Sequence, residues 1–168
     1  LDYHKNITNY RNAKYKLLIN YLNKNGYAVL NDNIKGIETL KKKLKQKKIL
    51  TYGSNKSDIF LYVDDKKTYV KYLKKNYLLI NTEFTSIKIE NISCAIACCI
   101  CLDVKINSII KVIKKIINPP GRLEEVKTKN NKYKIYIDYA HTPEALKQVL
   151  INKTIKGKKP NIVFGCGG

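Results

Sequence analysis

With 168 residues, 44% of them hydrophobic, the chain can bury a core and has room for one domain, or for one domain and part of another. It contains no run of 18 apolar residues and no signal-peptide pattern, which excludes a helical membrane span within it and makes a soluble cytoplasmic protein the default expectation. A net charge of +20 ordinarily points to a polyanion such as nucleic acid. Here the lysines run the whole length beside abundant Asn, Ile and Tyr, the residues of AT-rich codons, so compositional drift accounts for the charge and no nucleic-acid partner is expected. The runs from Lys41 to Lys48 and Lys156 to Lys159 read as solvated faces. The absence of methionine, the start at Leu1 and the stop on Gly167 and Gly168 read as an internal piece of a longer protein.

Taken in order, Thr8 to Asn25 predicts an amphipathic helix whose inner face carries Tyr10, Lys14, Leu17 and Tyr21, with Gly26 closing it. A lysine on such a stripe ordinarily snorkels or finds an ion-pair partner. Gly26 to Leu30 predicts a short buried strand, Asn31 to Asn33 its turn, and Ile34 to Lys47 a lysine-coated helix. Ile49 to Gly53, Ile59 to Val63, Thr68 to Tyr72 and Leu78 to Ile80 read as further strands, with Asp64, Asp65 and Asn76 near the turns. Asn91 is placed to cap an apolar helix from Ile92 to Leu102. On that helix Cys94, Cys98 and Cys101 fall at i, i+4 and i+7, a predicted core-facing stripe. The C-x-x-C of Cys98 and Cys101 has no second pair or histidine at zinc spacing, so packed free thiols are expected.

Ile106 to Ile117 predicts one more amphipathic helix, stopped at Asn118, Pro119 and Pro120, which no helix or central strand can cross. The domain boundary is placed there, giving domains 1–118 and 119–168. Asn130 and Asn131 turn a hairpin into a strand in which Ile135 and Ile137 point one way, Tyr136 and Asp138 the other. Thr142 and Pro143 then open a helix as N-cap and N1. Asn161 to Phe164 reads as the next strand, leading into glycine-rich Gly165 to Gly168. The alternation of strands and helices makes the fold α/β. The corner from Lys134 to Leu146 aims free backbone N–H groups and the positive end of a helix dipole at its loop, where a nucleotide phosphate can sit. Asp138, His141 and Thr142 add an acid, an imidazole and a hydroxyl; on spacing alone the same segment is also an ordinary βα turn with a good cap.

The run from Asp138 to Pro143 resembles the DYAHTP signature of the Mur ligases, in particular the MurE type that adds the third amino acid to UDP-muramyl dipeptide. Other matches follow in the family's order: Leu1 to His4 resemble part of HLDYH, Tyr10, Ala13 and Lys14 resemble Y-x-x-A-K, Gly121 to Glu124 resemble GRME, and Phe164 to Gly168 resemble the start of FGCGGDRD. The resemblance implies part of the central ATPase domain followed by the start of a Rossmann-like C-terminal domain, in an enzyme acting as a monomer on ATP, Mg²⁺, UDP-muramyl dipeptide and an amino acid. It implies that Lys14 is carbamylated and helps hold Mg²⁺, that Arg122 reaches the ATP phosphates, that Asn91 contacts adenine, and that Asp138, His141 and Thr142 hold the nucleotide. The positions occupied here by Ile87 and Lys88 are phenylalanine and asparagine in the family pattern, and its NADD run is only partly kept in Asn31, Asp32 and Asn33.

The chemistry so implied phosphorylates a substrate carboxylate to an acyl phosphate, which an amine then attacks. No glycine-rich P-loop occurs within these 168 residues, so the chain by itself is expected to be inactive, and diaminopimelate and lysine are not distinguished. The rivals are a folylpolyglutamate synthase-like ligase, a basic nucleic-acid-binding module and a decayed, non-enzymatic remnant.

Overall fold

The computed structural model describes residues 4–82, 84–117, 119–128, 133–151 and 160–165. Two compact units emerge, one formed by residues 1–84 and 88–114, the other by residues 85–87 and 115–168.

The first unit is built on a mixed five-stranded sheet in the order β1 (Tyr27–Asn31), β2 (Lys48–Tyr52), β3 (Ile59–Asp64), β4 (Lys67–Tyr72) and β5 (Lys75–Ile80). β1 and β2 run parallel from the pair Tyr27 and Lys48 to the pair Asn31 and Tyr52. β2 meets β3 at a single parallel bridge, and β3, β4 and β5 form an antiparallel meander. Both tight turns of the meander have two residues with positive φ, Asp65 and Lys66 in the first and Leu73 and Lys74 in the second. That geometry matches the right-handed twist of the flanking strands.

Alternation divides the strands between two cores. On one sheet face Ile59, Leu61, Val70 and Leu79 pack with Phe84, with Ile92, Ile96 and Ala97 of α3 (Ser86–Cys101), and with Ile109, Ile110 and Ile113 of α4 (Ile106–Ile113). On the other face Ala28 and Leu30 pack with Ile37, Leu40 and Leu44 from α2 (Ile37–Lys43) and the turn that follows it. Tyr15, Leu18, Ile19 and Leu22 close this second core from α1 (Ile7–Lys16) and the π-type turns Leu17–Tyr21 that extend it. Asn6 caps α1 by accepting from the Asn9 N–H at 2.8 Å. The buried Thr68 hydroxyl donates to the Thr82 carbonyl and accepts from the Phe84 N–H, pinning the chain that leaves the sheet.

The inward face predicted for the first helix is the outward one. Tyr10 is 39% exposed, Leu17 65% and Tyr21 78%, while the stripe of Tyr15, Leu18, Ile19 and Leu22 is packed. Asn91 caps nothing: α3 begins at Ser86, so Asn91 lies inside the helix with its side chain exposed. The cysteine stripe is likewise displaced from the core, with Cys98 exposed and Cys94 and Cys101 half-buried.

In the second unit β6 (Glu124–Val126) and β7 (Ile135–Ile137) form an antiparallel hairpin, and α5 (Pro143–Ile151) follows. Its predicted turn at Asn130 and Asn131 lies outside the described residues. Asn161 to Phe164 is irregular chain rather than the predicted strand, and residues 166–168 of the glycine-rich run lie outside the described residues.

Candidate functional site

In the first unit Lys14 stands exposed on α1, its Nζ 5.4 Å from the centroid of the Tyr10 ring, against whose edge the His4 ring lies at 5.3 Å. As an ammonium, Lys14 has three donors and no lone pair, so it ligates no cation. Carbon dioxide can reach an exposed amine, and the carbamate would offer oxygen donors of the kind Mg²⁺ takes. Mg²⁺ commonly uses one or two such protein oxygens and fills its octahedron with waters and phosphates. A single carbamate therefore fits that donor set, and among the described residues no group of three His, Cys, Asp or Glu forms a ready-made cage.

The parallel strands end in a second polar cluster, at the C-terminal edge where open α/β sheets receive ligands. Asp32 accepts from the Ser57 hydroxyl at 2.7 Å and meets the Lys41 ammonium at 2.6 Å; Lys41 also reaches Glu38 at 2.9 Å. The hydrogen bonds that Lys41 donates to Asp32 and then to Glu38 push its pKa above the usual lysine range. Asn31 accepts from the Asn33 N–H, and the Asn33 amide donates to the Gly53 carbonyl. The partly kept NADD-like run thus belongs to a closed network whose partners lie on α2 and the β2–β3 loop.

On α3, Lys88 and Asn91 are one turn apart on the same helix. Lys88 is half-buried over the Phe84 ring at 4.6 Å, and desolvation lowers its affinity for a proton. Burial, before any other cause, pushes the Cys98 and Cys101 thiols up, the opposite of the depressed thiol that a redox-cycling C-x-x-C uses.

The second unit sets two of the singled-out residues, Arg122 and His141, against one aromatic ring, with Asp138 and Thr142 close by in the chain. Asp138, at the end of β7, accepts from the Leu123 N–H at 2.9 Å and the Ala140 N–H at 2.8 Å, tying the segment before β6 to the loop after β7. The Tyr139 N–H donates to the Gly121 carbonyl at 2.8 Å, and Glu124 closes the turn by accepting from the Gly121 N–H. Tyr139 is thereby held with its ring 5.3 Å below the Arg122 guanidinium and 5.0 Å from the His141 ring, edge to face. Thr142 caps α5 as the sequence predicts, accepting from the Ala145 N–H at 3.2 Å. The ordinary alternative for Arg122, an ion pair with Glu124 or Glu125, is not what forms: Glu124 is used by the turn and Glu125 pairs with Lys134. Arg122 stays exposed, its five donors available to an anion.

Sequence reasoning singled out Arg122, Asp138, His141 and Thr142 but passed over Tyr139, whose ring meets Arg122 and His141. The available signal was its place between Asp138 and His141, next to the first and two residues from the second.

The Mur ligase middle domain family matches residues 1–99. The chain belongs to this family. Against the UDP-N-acetylmuramoyl-L-alanyl-D-glutamate–2,6-diaminopimelate ligase of Rickettsia bellii, this Mur ligase chain is 34% identical over 177 aligned residues, 100% of its own length and 36% of the relative's. A solved UDP-N-acetylmuramoyl-L-alanyl-D-glutamate–2,6-diaminopimelate ligase superposes with a TM-score of 0.67 at 26% identity, covering 97% of the Mur ligase chain and 35% of that structure. MurF ligase from Thermotoga maritima, solved in complex with ADP, shares the fold with a TM-score of 0.64 at 17% identity, over 84% and 34% of the two chains. The Mur ligase chain therefore spans little more than a third of the length of these relatives, and the α/β, Mur-type architecture expected from the sequence holds. No helix among the described residues is long and apolar enough to cross a membrane.

Proposed function

We propose that the chain forms part of an ATP-dependent ligase that joins diaminopimelate to UDP-N-acetylmuramoyl-L-alanyl-D-glutamate in peptidoglycan synthesis. The observation that carries this reading is the 34% identity extending over 100% of the chain to a ligase of that name. The names of the relatives favour diaminopimelate over lysine as the amino acid. Residues 1–118 are read as part of the central ATP-binding domain and residues 119–168 as the start of the C-terminal domain.

In this reading ATP phosphorylates the terminal carboxylate of the dipeptide, and the amine of the incoming amino acid displaces phosphate from the acyl phosphate. The Arg122 guanidinium, steadied on Tyr139, faces the phosphoryl group and stabilises charge developing there. Asp138 fixes the loop on which His141 and Thr142 meet the nucleotide, and Asn91 supplies an amide for the adenine edge. Lys14, as its carbamate, holds Mg²⁺, which would neutralise phosphate charge.

The test uses the gene product that carries this chain. Phosphate release should require UDP-muramyl dipeptide and diaminopimelate together and should yield one phosphate per ligated product. Release that needs neither substrate, or a preference for folate or lysine, overturns the assignment.

A further inference from the structure

The antiparallel meander has a face that neither core uses. Alternation sends Ile59, Leu61, Val70 and Leu79 inward and turns Phe60, Tyr62 and Tyr69 to the opposite side of the sheet. On that side α1 and α2 pack over Ala28, Leu30 and Ile49 of β1 and β2, and among the described residues the three rings belong to neither core. They pack on one another instead. Phe60 and Tyr62 stack with centroids 5.7 Å apart and planes 18° apart, Tyr62 and Tyr69 at 5.5 Å and 16°. Parallel rings at such separations are offset, so each half-buried ring keeps part of a face open. Lysines border one end of this ladder: exposed Lys71 stands directly opposite Phe60, and Lys74 and Lys75 follow at the β4–β5 turn. The acids of the meander, Asp64 and Asp65, sit at its other end, where Lys67 pairs with Asp65 at 3.7 Å.

We propose that this sheet face binds single-stranded nucleic acid, its bases stacked on Phe60, Tyr62 and Tyr69 and its phosphates drawn to Lys71, Lys74 and Lys75. Unpaired bases offer π-faces to aromatic side chains, whereas a duplex keeps those faces stacked inside itself. A neutral sugar could lie on the rings but gains nothing from the lysines beside them. The net charge of +20, spread along the whole chain, names no partner by itself. Here uncovered rings and a basic, acid-free edge coincide on one rigid surface, which is the pairing that a single strand requires. Contacts to base faces and phosphates carry little sequence information, so binding is tolerant of sequence.

The experiment titrates a fluorescently labelled oligothymidylate with the 168-residue chain at about 0.15 M salt and follows anisotropy. The strand should bind, and tyrosine fluorescence should be quenched as its bases stack. Tyr62→Thr combined with Tyr69→Thr should weaken binding about tenfold or more, while Tyr62→Phe with Tyr69→Phe should retain it. Lys71→Gln should weaken binding and lower the slope of log affinity against log salt by about 0.7. Lys43→Gln on α2 and Tyr21→Thr, which remove the same groups elsewhere, should bind like the wild type. Far-ultraviolet circular dichroism checks that each variant is folded. No binding overturns the proposal, as does a duplex bound as tightly as the single strand or binding that survives loss of both rings. Equal losses with Lys71→Gln and Lys43→Gln overturn it in favour of a diffuse polycation. Tyrosine quenching by a neutral chito-oligosaccharide, with none by the oligonucleotide, overturns it in favour of a glycan.

Discussion

Adding a single methyl group at Gly53 tests whether the loops at the ends of β1 and β2 are interlocked as the structure shows. Gly53 has φ +108, and a Cβ there would lie 2.7 Å from Asn31 Oδ1 and 3.0 Å from Asn33 Nδ2. Both atoms are committed: Asn31 Oδ1 accepts from the Asn33 N–H at 2.9 Å, and Asn33 Nδ2 donates to the Gly53 carbonyl at 3.2 Å. The positive φ alone costs an alanine about 1–2 kcal/mol. Displacing Asn31 forfeits one or both side-chain hydrogen bonds, each worth about 1 kcal/mol net. Gly53→Ala should therefore destabilise the chain by roughly 2–4 kcal/mol in urea unfolding with an unchanged slope. Asn31→Ala alone should cost about 1 kcal/mol. In the double variant the steric part disappears, so the two losses should fall short of additivity by about 1 kcal/mol or more. Full additivity, or a Gly53→Ala loss below about 0.5 kcal/mol, would refute the interlock.

Four further outcomes are expected. In the second meander turn Leu73 and Lys74 both hold positive φ, at +48 and +61, so Leu73→Asn with Lys74→Gly should raise the unfolding free energy by about 1–2 kcal/mol. The buried Tyr15 hydroxyl has no hydrogen-bond partner among the described residues, and Tyr15→Phe should be neutral or stabilising by up to about 1 kcal/mol in the same assay. Because the carboxylates of Asp32 and Glu38 raise the Lys41 pKa on folding, its contribution is present below the ordinary lysine value of 10.5 and is lost as pH rises through the folded value. The stability difference between wild type and Lys41→Gln should thus be level from pH 7 to 10 and shrink above that, as pH-dependent urea melts would show. On the proposed function, Lys14→Ala in the gene product that carries this chain should lower turnover with partial rescue by added bicarbonate or chloride, and unchanged turnover would remove Lys14 from the proposed site.

The sequence was most legible where a single period governed. The meander could be read because Ile59, Leu61, Val70 and Leu79 alternate with outward residues, and a period of two leaves no choice of side once one face is apolar. Thr142 and Pro143 could be read because capping is settled by the local chain. Helix sidedness was not legible for a different reason: α1 and its π extension carry two apolar stripes, and both have helical spacing. Partners distant in sequence, Ala28 and Leu30 on β1 with Leu40 and Leu44 beyond, decide which stripe is buried. On α3 the difficulty is the reverse. Apolar and cysteine residues occur nearly all round it, so periodicity cannot choose between Ile92 with Ile96 and Cys94 with Cys98.

The candidate site divides along the same line. Arg122, Asp138 and His141 stand next to recognisable turn residues, and two hydrogen bonds, from the Tyr139 N–H to the Gly121 carbonyl and from the Leu123 N–H to the Asp138 carboxylate, bring their segments together. The overturned inner face bears directly on Lys14. On the outward stripe the Lys14 amine stands in solvent above Tyr10, where carbon dioxide and a hydrated cation can both reach it.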